Sequence, residues 1–284
     1  MEVVVGLDCG TSSTKATTVG DPNAPGKYPI RNRAHWRVMA STGISFLGTA
    51  VQGPVDQPYY SDDTEAQHGF VVGESSTGVT LTNVRVTNVL GDFVAVAGGA
   101  SNVEVTGGVF SGAGRQGFSV SQGSDIVFHG NQLTRVSRSA VDLEPQLDWA
   151  IHDVTISGNT FRAPIPNVIF ANAGTGSAVS DITITGNSVV GVPFTAKVRA
   201  PCGGRRSNYT FTDNVSDTEA TLPLKFARID GLTVTGNTLP TRPAQTSKNG
   251  TTGGIWITLN DVTATQIANN NVGTAVMGTY SEDC

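Results

Sequence analysis

The sequence predicts an all-β fold, a single right-handed parallel β-helix of about nine rungs. Three observations predict it. One strand-like phrase recurs along the chain, a second alternating strand stands between its copies, and the composition disfavours helices.

The recurring phrase is plainest in NVEVTGGVF (102–110), DIVFHGNQL (125–133), DVTISGNTF (153–161), DITITGNSV (181–189) and GLTVTGNTL (231–239). Looser copies are GVTLTNVRV (78–86), NYTFTDNVS (208–216) and DVTATQIANN (261–270), and HWRVMASTG (35–43) is the weakest. Their first apolar residues are Val79, Val103, Ile126, Val154, Ile182, Tyr209, Leu232 and Val262, roughly one every 23 to 30 residues, which is the period of a stacked solenoid. Within a copy the alternation has period two: Val154 and Ile156 face inward, Thr155 and Ser157 outward. The Gly-Asn that follows is turn chemistry.

The second strand is HGFVV (68–72), GDFVAV (91–96), QGFSV (116–120), SAVDLE (139–144), NVIF (167–170), AKVR (196–199), LKFA (224–227) and GIWIT (254–258). Asn131, Asn159, Asn187, Asn214 and Asn237 share one repeat position. Stacked coils turn them into a ladder, each side-chain amide bonding to the next. Thirty-four glycines with only 14% charged residues complete the case against helices.

Other classes are disfavoured. The net charge of −5 gives no electrostatic grip on phosphate backbones, so nucleic acid is not an expected partner. Apolar runs of about five residues fall far short of the roughly 20 that cross a bilayer. Met1–Leu7 is too short for a signal peptide and carries Glu2. Cys9, Cys202 and Cys284 form no metal or redox pair, although a Cys202–Cys284 disulfide suits an exported protein. No pair of the four histidines has metal-ligand spacing. No metal site is predicted, and the chain is expected to act as a monomer.

From about Ile30 to Asn271 the V-T-I-x-G-N-x-F coils resemble the right-handed β-helix proteins of the pectin-lyase-like superfamily. The resemblance implies an exported or cell-envelope protein that binds and possibly cleaves a polysaccharide along an outer sheet face. Residues 30–284 form the expected helix domain, with an insertion at 48–69. Residues 1–29 form a separate N-terminal segment or cap. Within it GLDCGTSSTKA resembles the first phosphate motif of the FGGY carbohydrate kinases: Asp8 would take the metal-associated place, Gly10–Ser13 the phosphate turn and Lys15 the basic residue after it. The second phosphate motif, the adenosine motif and the two lobes of such a kinase are not legible downstream.

With the second strand as ruler, Phe70, Phe93, Phe118, Val141, Val168, Ala196, Leu224 and Ile255 point inward. The next residues, among them Ser119, Asp142, Lys197, Lys225 and Trp256, point outward, and two further on come Glu144 and Arg199. Asp142 and Glu144 stand about 6.5 to 7 Å apart by strand rise. His68, Asp92, Arg115 and Gln116 precede the same strands of earlier rungs. Two chemistries suit this stripe. A hydrolase would use Asp142 and Glu144 as acid and base with a water between them. A lyase would use Arg115, Lys197 or Arg199 as base beside a neutralised uronate, with calcium as a possible cofactor held by carboxylates. The catalytic candidates are therefore Asp142, Glu144 and Arg115. The substrate-binding candidates are His68, Asp92, Gln116, Lys197, Arg199, Lys225 and Trp256. Tyr59 and Tyr60, in the insertion, are aromatic residues of the kind that stack on sugar rings. A non-catalytic adhesin or surface scaffold is the alternative from another class, in which the stripe is only a solvated face.

Overall fold

The structure, a computed structural model, describes residues 34–279 except 55, 57, 61–65, 147, 173–176, 201–203 and 248–249. The kinase-like segment Met1–Ala16, the rest of the expected cap, and all three cysteines lie outside the described residues.

Most coils run through three short strands. The coil after Gly117 is representative: Phe118–Val120, Gly123–His129 and Gln132–Val136, before the chain returns at Ser139–Leu143 to lie parallel to Phe118–Val120. Stacking turns each position into a parallel ladder. The front ladder carries Trp36–Met39, Phe70–Gly73, Val94–Val96, Phe118–Val120, Ser139–Leu143, Asn167–Asn172 and Ala196–Arg199. It continues into the long strands Leu224–Thr235 and Ile255–Ala268 and ends at Val276–Thr279. The second ladder aligns Val79, Val103, Ile126, Val154, Ile182, Tyr209 and Leu232 in one inward row. The third runs from Ala50–Gln52 to Val215–Ser216. Among the described residues no helix is long and apolar enough to cross a membrane.

The inward rows fill the tube with Val, Ile, Leu and Phe, almost all under 2% exposed. Phe118 and Phe128 stack with ring centroids 4.5 Å apart, and Phe110 lies 6.1 Å from Phe128. Each such pair adds about 0.5–1.5 kcal/mol beyond area burial. The corner between the second and third strands is polar. Asn131, Asn159, Asn187, Asn214 and Asn237 each accept, at Oδ1, the backbone N–H of the ladder residue one coil earlier, and their Nδ2 donates to the next Oδ1 at 2.9–3.1 Å. Asn270 completes the series as the acceptor for Asn237. The glycine before each of Asn131, Asn159, Asn187 and Asn237 has φ between 60° and 69°, the conformation that lets the chain turn into this corner.

Several expected alignments shift. HWRVMASTG is not a copy of the recurring phrase: Trp36–Met39 belongs to the front ladder, and Ile44 and Phe46 fill the inward row beside Val79 and Leu81. In the last coil Val262 pairs with Ile229, so Thr265 takes the place beside Leu232. The insertion begins only after Gln52, because Ala50–Gln52 already pairs with Arg85–Thr87.

Candidate functional site

Register on the front ladder decides which side chains meet. Phe70, Val94, Phe118, Val141, Ile169, Ala196, Leu224 and Ile257 form the inward row. Phe93 and Val168 precede that row, yet they too are buried. At this corner two consecutive residues face inward, which erases the alternation that sequence reasoning relies on. Trp256 is a correction for the same class of reason. It is 5% exposed and packs in the core, while Thr258 occupies the outward place beside Lys225. Trp256 precedes Ile257 of the inward row just as Phe93 precedes Val94 and Val168 precedes Ile169.

The outward row then reads Ser119, Asp142, Phe170, Lys197, Lys225, Thr258. Over its N-terminal part lies a cleft of about 240 Å³ whose lining includes His68, Asp92, Arg115, Ser119, Asp142 and Glu144. Ala66 and His68 bring one end of the insertion to its edge. Five of the predicted site residues thus converge on one cavity. Lys197 and Lys225 follow two and three coils along the same row, with Arg199 beside Asn172 and Ala227, and none of the three lines the cleft.

Asp92 is fully buried at the cleft floor and gathers donors. Arg115 Nη1 donates to its Oδ2 at 2.8 Å, Ser119 Oγ to the same oxygen at 2.6 Å, and the Gln116 backbone N–H to Oδ1 at 2.8 Å. A buried carboxylate needs this many partners to offset its lost hydration. The backbone N–H of Asp92 donates to His68 Nδ1 at 3.0 Å. His68 Nδ1 also lies 3.4 Å from Asp92 Oδ2, a pairing that requires protonated Nδ1. The shorter contact governs, because an N–H donor needs a lone pair on Nδ1, and it fixes the imidazole proton on Nε2. Arg115 and Asp92 are thereby committed to each other.

Gln116 lies beneath the cleft rather than in it. Its Nε2 donates to Asp142 Oδ2 at 2.6 Å and its Oε1 accepts the Ser139 backbone N–H at 2.9 Å, with only 2% of the residue exposed. It clamps Asp142 to the preceding coil and is removed from direct substrate contact. Asp142 itself is 1% exposed, and its Oδ1 has no hydrogen-bond partner among the described residues. Burial pushes its pKa up to about 8; Glu144 and Asp92 add to the rise, while Arg115 and Arg138 oppose it. Burial thus favours the neutral form of Asp142, whose Oδ2 accepts from Gln116. Glu144, two residues on, is half-buried and lines the same cleft.

Sequence reasoning missed two residues here. Phe170 was hidden by the doubled inward positions at Val168 and Ile169, and it stands half-buried between Asp142 and Lys197. Gln146 lines the cleft as the next residue after Asp142 and Glu144 in period two, a signal that extending the alternation past the strand end would have found.

A solenoid of stacked three-strand coils with a carboxyl-bearing cleft on one outer ladder defines the class of this protein. The right-handed β-helix region family matches residues 63–215, more than half of the chain, and the chain belongs to that family. No curated protein matches it. Among solved structures it is similar to PfbA, a surface adhesin of Streptococcus pneumoniae, at 13% identity over 87% of this chain and 73% of that one, with a TM-score of 0.52. It is also similar to a tailspike protein mutant of E. coli bacteriophage HK620 in complex with a pentasaccharide: 15% identity, 87% and 42% of the two chains, TM-score 0.48. A GH87 α-1,3-glucanase catalytic domain in complex with tetrasaccharides matches at 9% identity over 87% and 62%, with a TM-score of 0.39. The chain spans less than half the length of the tailspike chains. At such identities the likeness is one of fold.

Proposed function

We propose that the chain binds a polysaccharide along its front ladder and hydrolyses a glycosidic bond in the cleft of His68, Asp92, Arg115, Ser119, Asp142 and Glu144. The observation that carries this reading is a buried carboxyl with a pKa near 8 two residues from a second carboxyl in the same cavity. Pairs of titratable groups whose environments differ in this way are how a site holds an acid and a base at one pH.

In this reading the Asp142 carboxyl donates its proton to the glycosidic oxygen as the bond from that oxygen to the anomeric carbon breaks. Glu144 takes a proton from the water that attacks the anomeric carbon. Attack by that water from the face opposite the leaving group inverts the anomeric centre. Gln116 holds Asp142 in place, and Asp92 anchors Arg115 and His68 around it. A lyase reading is weaker, because Arg115, its nearest candidate base, is ion-paired to Asp92 at 2.8 Å. Lys197, Arg199 and Lys225, further along the row, serve in binding.

The test is a panel of pectins, alginates and neutral glycans assayed both for new reducing ends and for the absorbance of unsaturated products. Reducing ends without that absorbance, abolished by Asp142→Asn and by Glu144→Gln, are expected. Unsaturated products would turn the assignment to elimination. Binding without cleavage, unchanged in both variants, would leave a non-catalytic scaffold.

A further inference from the structure

The insertion also lines a second cavity. Pro58, Tyr59 and Tyr60 face Arg135, Pro164 and Pro166 across a pocket of about 570 Å³ at the edge of the third ladder. Ser137 Oγ donates to the Pro58 carbonyl at 3.3 Å and pins the loop there. Tyr59 is 72% exposed, an uncommon position for so large an apolar ring. The pocket wall is otherwise apolar, and its charge comes from Arg135.

Asn88, Gly112 and Arg135 are stacked neighbours on the third ladder with φ of 57°, 85° and 56°, a left-handed conformation that the bend of the coil imposes at this place. The guanidinium is oriented by neutral oxygens: Nε and Nη2 donate to Ser111 Oγ at 3.2 and 3.0 Å, and Nη2 to Asn88 Oδ1 at 3.3 Å. No carboxylate among the described residues pairs with it.

No residue lines both cavities, but Arg138 relates the two. Arg138 lies 4.6 Å above the Tyr60 ring, and its charge is felt at Asp142. Arg138 immediately precedes the Ser139–Leu143 strand that carries Asp142, and Ser137 immediately precedes Arg138. Arg138 thus relates the strand that carries Asp142 to the tyrosine pocket.

We infer that the pocket of Pro58, Tyr59, Tyr60, Arg135, Pro164 and Pro166 is a remote subsite for an anionic sugar residue of the polysaccharide held in the cleft. Tyr59 offers a ring face to the C–H face of a pyranose, and Arg135 pairs with the sugar's carboxylate or sulfate. The inference rests on the reading of the cleft as a polysaccharide site, but it requires binding only, not cleavage.

The probes are short and long oligogalacturonides, with maltooligosaccharides as neutral controls, titrated calorimetrically onto the Glu144→Gln protein. Adding Tyr59→Ala is expected to weaken the long galacturonides about tenfold and leave the short ones unchanged. Adding Arg135→Gly removes the guanidinium while the left-handed backbone is kept, so affinity for long galacturonides is expected to fall with the thermal midpoint close to that of the parent. A merely structural arginine would lower the midpoint instead. Equal affinity of the Tyr59→Ala and parent proteins for long galacturonides, loss of neutral and anionic oligomers alike in Arg135→Gly, or no galacturonide binding at all would overturn the subsite. Failure of the hydrolase reading is separate: it shows as absent reducing ends with the unsubstituted protein, while Tyr59-dependent binding of long chains survives.

Discussion

Replacing Asp142 with asparagine removes a proton-binding group from the native state while keeping its shape and its acceptor for Gln116. The carboxyl is displaced from 3.8 to about 8 by burial, with Glu144 and Asp92 adding to the rise. Between those two values the unfolded chain has lost this proton and the native chain has kept it. The native state then binds more protons, so the wild-type protein loses stability as pH rises through this window, at about 1.4 kcal/mol per unit. By pH 7 the penalty is on the order of 4 kcal/mol, and it levels off above pH 8. Asparagine carries no such penalty. The two proteins should therefore have similar unfolding midpoints near pH 4 and diverge upward from there, with Asp142→Asn the more stable. Urea unfolding followed by tryptophan fluorescence at several pH values measures this directly. A difference that stays flat between pH 4 and 8, or that favours the wild type as pH rises, would refute the neutral Asp142 and with it the proposed acid.

Other expectations concern activity and the scaffold. On whichever glycan is cleaved, kcat/KM should fall on a basic limb near pH 8 as Asp142 loses its proton, and Asp142→Asn should lower kcat by about 100-fold or more. Asn159→Ala deprives the Asn131 N–H, the Phe128 carbonyl and the Asn187 side chain of partners, so chemical denaturation should show a loss of roughly 2–4 kcal/mol. Gly117→Ala places a methyl group against the Ala140 carbonyl and the Leu133 side chain; the expected result is a lower melting temperature together with loss of cleft activity, because Gln116 and Phe118 move with it.

Much of the fold could be read from the repeat because a solenoid writes the same local solution many times. Val103, Ile126, Val154 and Ile182 each solve one problem, and an error at one coil is corrected by its neighbours. The Asn131–Asn237 ladder was legible for that reason, whereas Asn270 lies in a degenerate copy and was not. The front ladder was harder. It meets a corner at which Phe93 with Val94, and Val168 with Ile169, are buried in pairs, so period two fails there and Phe170 emerges unannounced. The convergence of Asp142, Glu144, Arg115, Asp92 and His68 could still be anticipated, since all five stand at or just before the same strand in neighbouring coils. Their division of labour could not. That Asp92 gathers Arg115, Ser119 and the Gln116 N–H while burial raises the pKa of Asp142 depends on contacts that run between coils and leave no pattern along the chain.

The asparagine corner has a consequence for how such a chain changes length. From Asn131 to Asn270 each Asn offers the coil before it the same acceptor and asks the same of the coil after it, so the joints between these coils are interchangeable. Duplication or loss of one whole repeat re-forms that joint, whereas a partial one leaves a donor facing nothing. The tube is thus extended or shortened in whole modules, and the length of its front ladder becomes a quantity that inheritance can adjust in steps while the cleft stays in place.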